Sequence, residues 1–172
     1  FDTFNLSIKI SNIQDQDWVK LTQSQFSPIN IQDQLWIIPS WHKIKDGKAI
    51  NLILDPGLAF GTGTHATTHL CLIWLLKNVN KNVTVLDYGC GSGILGIAAK
   101  KIGAQTVFGV DIDNQAIKSS RENSEINNVE IIWNNTKNKI NYKTDLVVAN
   151  ILSSALSVLA PILAEHCNNK GK

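Results

Sequence analysis

Apolar and polar residues alternate along Phe4, Leu6, Ile8 and Ile10, which predicts a half-buried strand near the start of the chain. Ile29 and Ile31, followed by Leu35-Trp36-Ile37-Ile38, predict a pair of short strands, with Pro39 and Asp46-Gly47 as punctuation. From Ala49 the pattern becomes regular. Ile50, Leu52, Ile53 and Leu54 predict a strand, and a glycine-rich loop runs over residues 55–64. A helix over 65–77 follows, with Leu70, Ile73, Trp74 and Leu76 on its apolar face. Strands are then predicted over 83–87, 106–110, 130–133 and 145–149. Between and after them come helices over 94–102, ending at Gly103, over 114–126, capped by Asp113, and over 153–165. Pro161 should bend or loosen the last helix. Such alternation implies a Rossmann-like α/β fold, a parallel sheet with helices on both faces.

Composition narrows the class without naming it. With 172 residues, 44% hydrophobic and 17% charged, the chain has room for one α/β domain and a small appendage. A net charge of +2, from scattered lysines and arginines, gives no reason to expect nucleic acid. The three cysteines, Cys71, Cys90 and Cys167, form no C-x-x-C pair and are expected to be reduced, in a cytoplasmic protein. No secretory signal is expected at Phe1-Asp2-Thr3-Phe4, and the apolar stretch from Leu70 to Leu76 is far short of the ~20 residues of a membrane span. The first residue is not Met, and Asn168-Asn169-Lys170-Gly171-Lys172 resembles a turn, so the chain is expected to be a piece of a longer one.

The chemistry concentrates at Asp87-Tyr88-Gly89-Cys90-Gly91-Ser92-Gly93, between a predicted strand and a predicted helix. Glycines there let the backbone turn sharply and approach a ligand at the carboxyl end of the sheet. Asp111 stands 22 residues after Gly89, where a carboxylate can accept both hydroxyl hydrogens of a ribose. The third glycine of a dinucleotide fingerprint would fall at Ile94, whereas the glycine stands at Gly93. That spacing is similar to the first motif of class I methyltransferases, which use S-adenosylmethionine. A second constellation, Asp145-Leu146-Val147-Val148-Ala149-Asn150, ends a predicted strand in a polar residue beside the switch point of the sheet. Asn150 alone could be a turn residue or helix cap; alongside the glycine motif it is a candidate acceptor-binding residue.

The segment Asp55-Pro56-Gly57-Leu58-Ala59-Phe60-Gly61-Thr62-Gly63-Thr64-His65-Ala66-Thr67-Thr68, taken with residues 87–93 and Val148-Ala149-Asn150-Ile151-Leu152, closely resembles the ribosomal protein L11 methyltransferase family. Gln34-Leu35-Trp36-Ile37-Ile38-Pro39-Ser40-Trp41 also resembles the linker before that family's catalytic domain. The resemblance implies a class I fold and transfer of methyl groups from S-adenosylmethionine to lysine and N-terminal amines of ribosomal protein L11. It implies cofactor contacts at Thr68, Gly89, Asp111 and Asn150, with Gly91 offering its backbone and Phe60, Thr62 and Thr64 covering the cofactor. Asn150 would also be catalytic, accepting a hydrogen bond from the incoming amine. Ala66 departs from the family's proline at that place.

On this basis residues 1–48 are expected to be the end of an N-terminal substrate domain plus linker, and 49–172 the S-adenosylmethionine-binding domain. Four core strands are fewer than the seven usual in the class, so the last strands read as missing. A fifth, expected after Lys172, would lie beside the fourth, leaving that edge open and the activity of the chain low. A monomer without metal, nucleic acid or membrane is expected. Alternatives are a class I N-methyltransferase with another protein or small-molecule acceptor, an inactive cofactor-binding fragment, and a nicotinamide-dependent oxidoreductase, which Ile94 disfavours.

Single residues allow plainer readings. His65 and His69 have the spacing of a zinc pair but lack the intervening glutamate and a third ligand. Cys90 suits a small buried side chain better than a nucleophile. Trp36 and Trp41 could line a binding face or belong to a strand pair packed on the domain.

Overall fold

The computed structural model describes residues 26–43, 47–55, 65–138 and 141–172. Strands β1 (Ile29–Ile31) and β2 (Leu35–Ile38) form the expected pair, antiparallel, with Ile31 opposite Leu35. Gln32 and Asp33, both at positive φ (52° and 56°), make the tight turn between them. The strained pair is held by Asn30, whose side chain donates to Asp33 Oδ1 and accepts from Asp33 N. Strand β3 (Ile50–Ile53) adds to β2 in parallel, completing a three-stranded sheet that spans residue 48. The predicted strand over Phe4–Ile10 lies outside the described residues.

The main sheet holds β4 (Thr84–Tyr88), β5 (Thr106–Asp111), β6 (Ile132–Asn135) and β7 (Leu146–Val148), all parallel, in the order β6-β5-β4-β7. The chain winds outward from β4 through β5 to β6, then returns to the other side of β4. That reversal opens a crevice at the carboxyl ends of β4 and β7. Helices α1 (Ala66–Asn78), α2 (Ile94–Ile102) and α3 (Asn114–Ile126) pack on one face, where Leu72, Leu75, Ile97 and Ile117 join Val85 and Val107. The small sheet contributes Ile31, Leu35, Ile37 and Leu52 to the same core. Helix α4 (Ser153–His166) covers the opposite face, with Leu159 and Leu163 against Leu86, Tyr88 and Val110. Helices on both faces of a parallel sheet are what the alternating pattern predicts.

Three differences have local causes. Strand β6 begins two residues later than the pattern predicts, because Asn128 takes a positive φ and Val129 N donates back to Ser124 O as the helix closes. The shift places Trp133 opposite Gly109 and carries the strand into Asn134 and Asn135. Strand β7 is shorter than 145–149, since Asp145 uses its carboxylate to accept from Thr84 N and Oγ1 at 2.8 Å each. Helix α4 runs through Pro161 without breaking. The outer edge of β7 is also partly engaged: Lys172 N donates to Asp145 O and Val147 N to Lys172 O, both at 2.9 Å. None of α4 is fully buried, and Leu152 and Val158 are 78% and 76% exposed.

Asn127, the C-cap of α3, ties that helix to the small sheet. Its amide accepts from Ile53 N (2.8 Å) and donates to Ile53 O (2.7 Å), satisfying both main-chain groups of the last β3 residue as a paired strand would.

Candidate functional site

Strand β4 delivers its last side chains to the crevice, and the chain then turns through Gly89, Gly91 and Gly93 at φ of 74°, 54° and 80°. Residues with a Cβ rarely take three left-handed conformations in alternation, so the glycines are a requirement of the turn. The loop is fixed mainly by strand β5. Gly89 N and Cys90 N both donate to Val110 O, at 2.8 and 3.0 Å, and Gly91 N donates to Asp111 Oδ2 at 3.0 Å. Asp111 Oδ1 accepts from Asp113 N at 3.0 Å. Each carboxylate oxygen thus has one main-chain donor and lone pairs to spare for others. Asn123 holds the far side of the loop, donating to Ser92 O at 2.8 Å.

Beneath the loop lies Asp87, 1% exposed. Its Oδ2 accepts from Gly96 N at 2.9 Å, while its Oδ1 is buried with no hydrogen-bond partner. Burial pushes its carboxyl up to about 7; the Gly96 bond opposes the rise and the Asp111 charge adds to it. Burial also raises the Cys90 thiol well above its ordinary range, so this cysteine stays protonated and packs as a small apolar group, as expected. Cys71 moves in the same direction, by burial and the nearby Asp87 charge.

The other wall is built by α1 and the residues after β7. Thr68, 1% exposed in the first turn of α1, receives a hydrogen bond from Asn150 Nδ2 at 3.0 Å. Because the amide nitrogen is used in this way, Asn150 Oδ1 is the atom left to accept from an N–H. Ile151 Cγ2 lies directly against the α-carbon of Gly89, so the segment after β7 rides on the first glycine of the loop. Below the Thr68–Asn150 bond, Leu70, Cys71, Trp74 and Val147 to Ala149 line an open apolar pocket of about 260 Å³.

The structure therefore brings Thr68, Gly89, Gly91, Asp111 and Asn150 to one end of the sheet. Phe60, Thr62 and Thr64 lie outside the described residues. Gly89 and Gly91 both spend their N–H groups on strand β5. Asp113 caps α3, accepting from Gln115 N at 2.9 Å. His65 caps α1, its Nδ1 lying 2.8 Å from Thr67 Oγ1 and accepting from Thr67 N. No cluster of three His, Cys, Asp or Glu side chains converges among the described residues. Trp36 belongs to β2, paired with Asn30 and Asn51, so the strand-pair reading of that tryptophan holds.

Sequence reasoning missed two contributors. Trp133 packs under the loop, touching the sites where Cβ atoms would stand on Gly93, Gly96 and Gly109. A large ring beside a glycine on the neighbouring strand was the available signal, but it needs the register to be read. Ile151 on Gly89 had no local signal at all.

Comparisons with known proteins agree with this geometry. The model of the family described as ribosomal protein L11 methyltransferase (PrmA) matches residues 1–172. The ribosomal protein L11 methyltransferase of Methylobacillus flagellatus is 58% identical over 160 residues, 93% of this chain and 54% of that one. Its counterpart in Dechloromonas aromatica is 55% identical over 163 residues, 95% of this chain and 55% of the relative. The chain thus spans about half the length of these curated relatives. The crystal structure of ribosomal protein L11 methylase from Lactobacillus delbrueckii subsp. bulgaricus superposes with a TM-score of 0.77 at 38% identity, covering 85% of this chain and 77% of that one. Its sheet is therefore that of a Rossmann-like class I methyltransferase, and the chain belongs to the ribosomal protein L11 methyltransferase family.

Proposed function

We propose that this chain forms the cofactor-binding and transfer part of an S-adenosylmethionine-dependent protein N-methyltransferase acting on lysine and N-terminal amines of ribosomal protein L11. Residues 49–172 are the S-adenosylmethionine-binding domain, and 1–48 the end of a substrate domain with its linker. The setting is the cytoplasm, where the protein acts as a monomer without nucleic acid.

The observation that carries this reading is the Asn150–Thr68 hydrogen bond at the mouth of the crevice. It turns the amide so that Oδ1 faces the role of acceptor beside a loop built for close approach. The residues present fit the cofactor. Asp111 has lone pairs suited to a ribose diol, and Asp87 Oδ1 is a buried acceptor without a donor. When bound, S-adenosylmethionine supplies a methyl group already activated on a sulfonium.

The protein's contribution is then positioning. Asp111 would hold the ribose, and the loop after β4 the methionine end. Thr68 fixes the Asn150 amide, and Asn150 Oδ1 would accept from the incoming N–H, aiming the nitrogen lone pair along the line of transfer. The same oxygen favours the positive charge that grows on nitrogen. Orientation of this kind is worth ~7–11 kcal/mol when reacting atoms are held in near-attack geometry. The attacking amine must be neutral, and water can take its proton.

Incubating the chain with labelled S-adenosylmethionine and purified ribosomal protein L11 tests the proposal. Label is expected in the ribosomal protein with the unaltered chain and not with Asn150→Ala. Equal labelling by both removes the proposed role of Asn150.

A further inference from the structure

Trp133 stands outside every motif that the resemblance supplies, yet its ring lies against the last glycine of the loop. It is 4% exposed and sits opposite Gly109 in the β5–β6 register, with Asp87 on the other side of Gly109. Its ring occupies the place a Gly109 side chain would need. The far edge of the indole continues under the loop. Cη2 comes within 2.9 Å of where Cβ atoms would stand on Gly93 and on Gly96. Gly93 is the last glycine of the loop, and Gly96 is the residue whose N–H holds Asp87. The tilt of the ring is fixed too, since Nε1 donates to Ser124 Oγ at 2.8 Å and that hydroxyl donates to Ser120 O at 2.7 Å.

We propose that Trp133 is a positioning residue of the cofactor site: the outer edge of its indole sets the height of the glycine loop and the first turn of α2, and so sets the affinity for S-adenosylmethionine. This rests on the reading that the site takes that cofactor. Glycine at 93, 96 and 109 lets the loop settle onto a flat surface, and a flat, rigid, hydrogen-bonded ring gives it one height. An aliphatic side chain or a shorter ring leaves a gap into which the loop can sink, at the cost of the pre-organised geometry.

The test is calorimetric titration of S-adenosylmethionine into the 172-residue chain and its variants, at a temperature where thermal melting shows each folded. Trp133→Phe keeps an aromatic ring on Gly109 but does not reach Gly93 and Gly96, and is expected to weaken binding about tenfold. Gly96→Ala alone is expected to weaken binding by pushing the loop off the ring. In the Trp133→Phe background the same methyl refills the gap, so the double variant should bind more tightly than Trp133→Phe alone. A purely structural ring would lower the melting temperature and leave these affinities unchanged. Unaltered affinity in Trp133→Phe, or a double variant whose loss is the product of the two single losses, overturns the proposal. Should Trp133→Phe fail to fold, Ser124→Ala decides: it frees the tilt of the ring and is expected to weaken binding about threefold, and no change overturns the proposal. Failure of the unaltered chain to bind S-adenosylmethionine would instead overturn the functional reading, and this inference with it.

Discussion

Asn150 and Thr68 lie 82 residues apart in sequence and share a 3.0 Å hydrogen bond, amide nitrogen to hydroxyl oxygen, across the mouth of the crevice. The bond links the segment after β7 to the first turn of α1, so the orientation of the Asn150 amide depends on a helix outside the main sheet. Replacing Thr68 by Val keeps the shape and removes the acceptor. Methyl transfer to ribosomal protein L11 is expected to fall about tenfold, the worth of one such bond. Asn150→Ala should cost roughly 10²–10³-fold in kcat, as loss of a pre-organised polar group does. A Thr68→Val enzyme with full kcat would show that the amide is held by other means.

Asp111 joins the loop to its strand through Gly91 N and Asp113 N, and is the proposed ribose acceptor. Asp111→Ala should weaken S-adenosylmethionine binding by about 10- to 100-fold, in keeping with ~1.5–3 kcal/mol for hydrogen bonds to a charged group. Equilibrium titration reads this directly. Asp111→Asn, which keeps one carbonyl acceptor, should fall between the two.

Asp87 predicts an unusual pH dependence. Its folded-state carboxyl is pushed up to about 7, against an ordinary 3.8. Between those values the folded chain holds a proton that the unfolded chain has released. The stabilisation is therefore fully present below pH 3.8 and is lost as pH rises through about 7. Hydrogen bonds from Thr84 and Asn168 hold the Asp145 carboxyl below its usual range, which acts in the opposite direction, so the clean comparison is with Asp87→Asn, which removes the Asp87 titration while keeping an acceptor for Gly96. Relative to that variant, the unaltered chain should lose urea stability steadily from pH 4.5 to 7. Parallel stability–pH curves for the two proteins would contradict the assignment.

Asn127 is the strand-like clip on Ile53. Asn127→Ala leaves two partly buried main-chain groups without partners, and should destabilise by roughly 2 kcal/mol in urea denaturation, the low end of ~1–3 kcal/mol for each orphaned group.

Much of the fold is legible in the pattern of the chain because its punctuation is local. Helix α2 stops at Gly103 and α3 starts at Asp113 for reasons contained within a few residues, and both sets of bounds match the pattern. Strand β6 is displaced because a positive φ at Asn128 and the pairing of Trp133 with Gly109 are decided by the neighbouring helix and strand. The candidate site divides in the same way. Its glycines and Asp111 stand at motif spacings, whereas Trp133 under Gly96 and Ile151 over Gly89 exist only once the strands are in register.

The central claim is that the crevice above β4 takes S-adenosylmethionine. Calorimetric titration of the chain with S-adenosylmethionine and, separately, with NAD tests it most directly. The account predicts saturable binding of S-adenosylmethionine with one site per chain and no measurable binding of NAD. Preference for NAD, or binding of S-adenosylmethionine that survives Asp111→Ala unchanged, would contradict it.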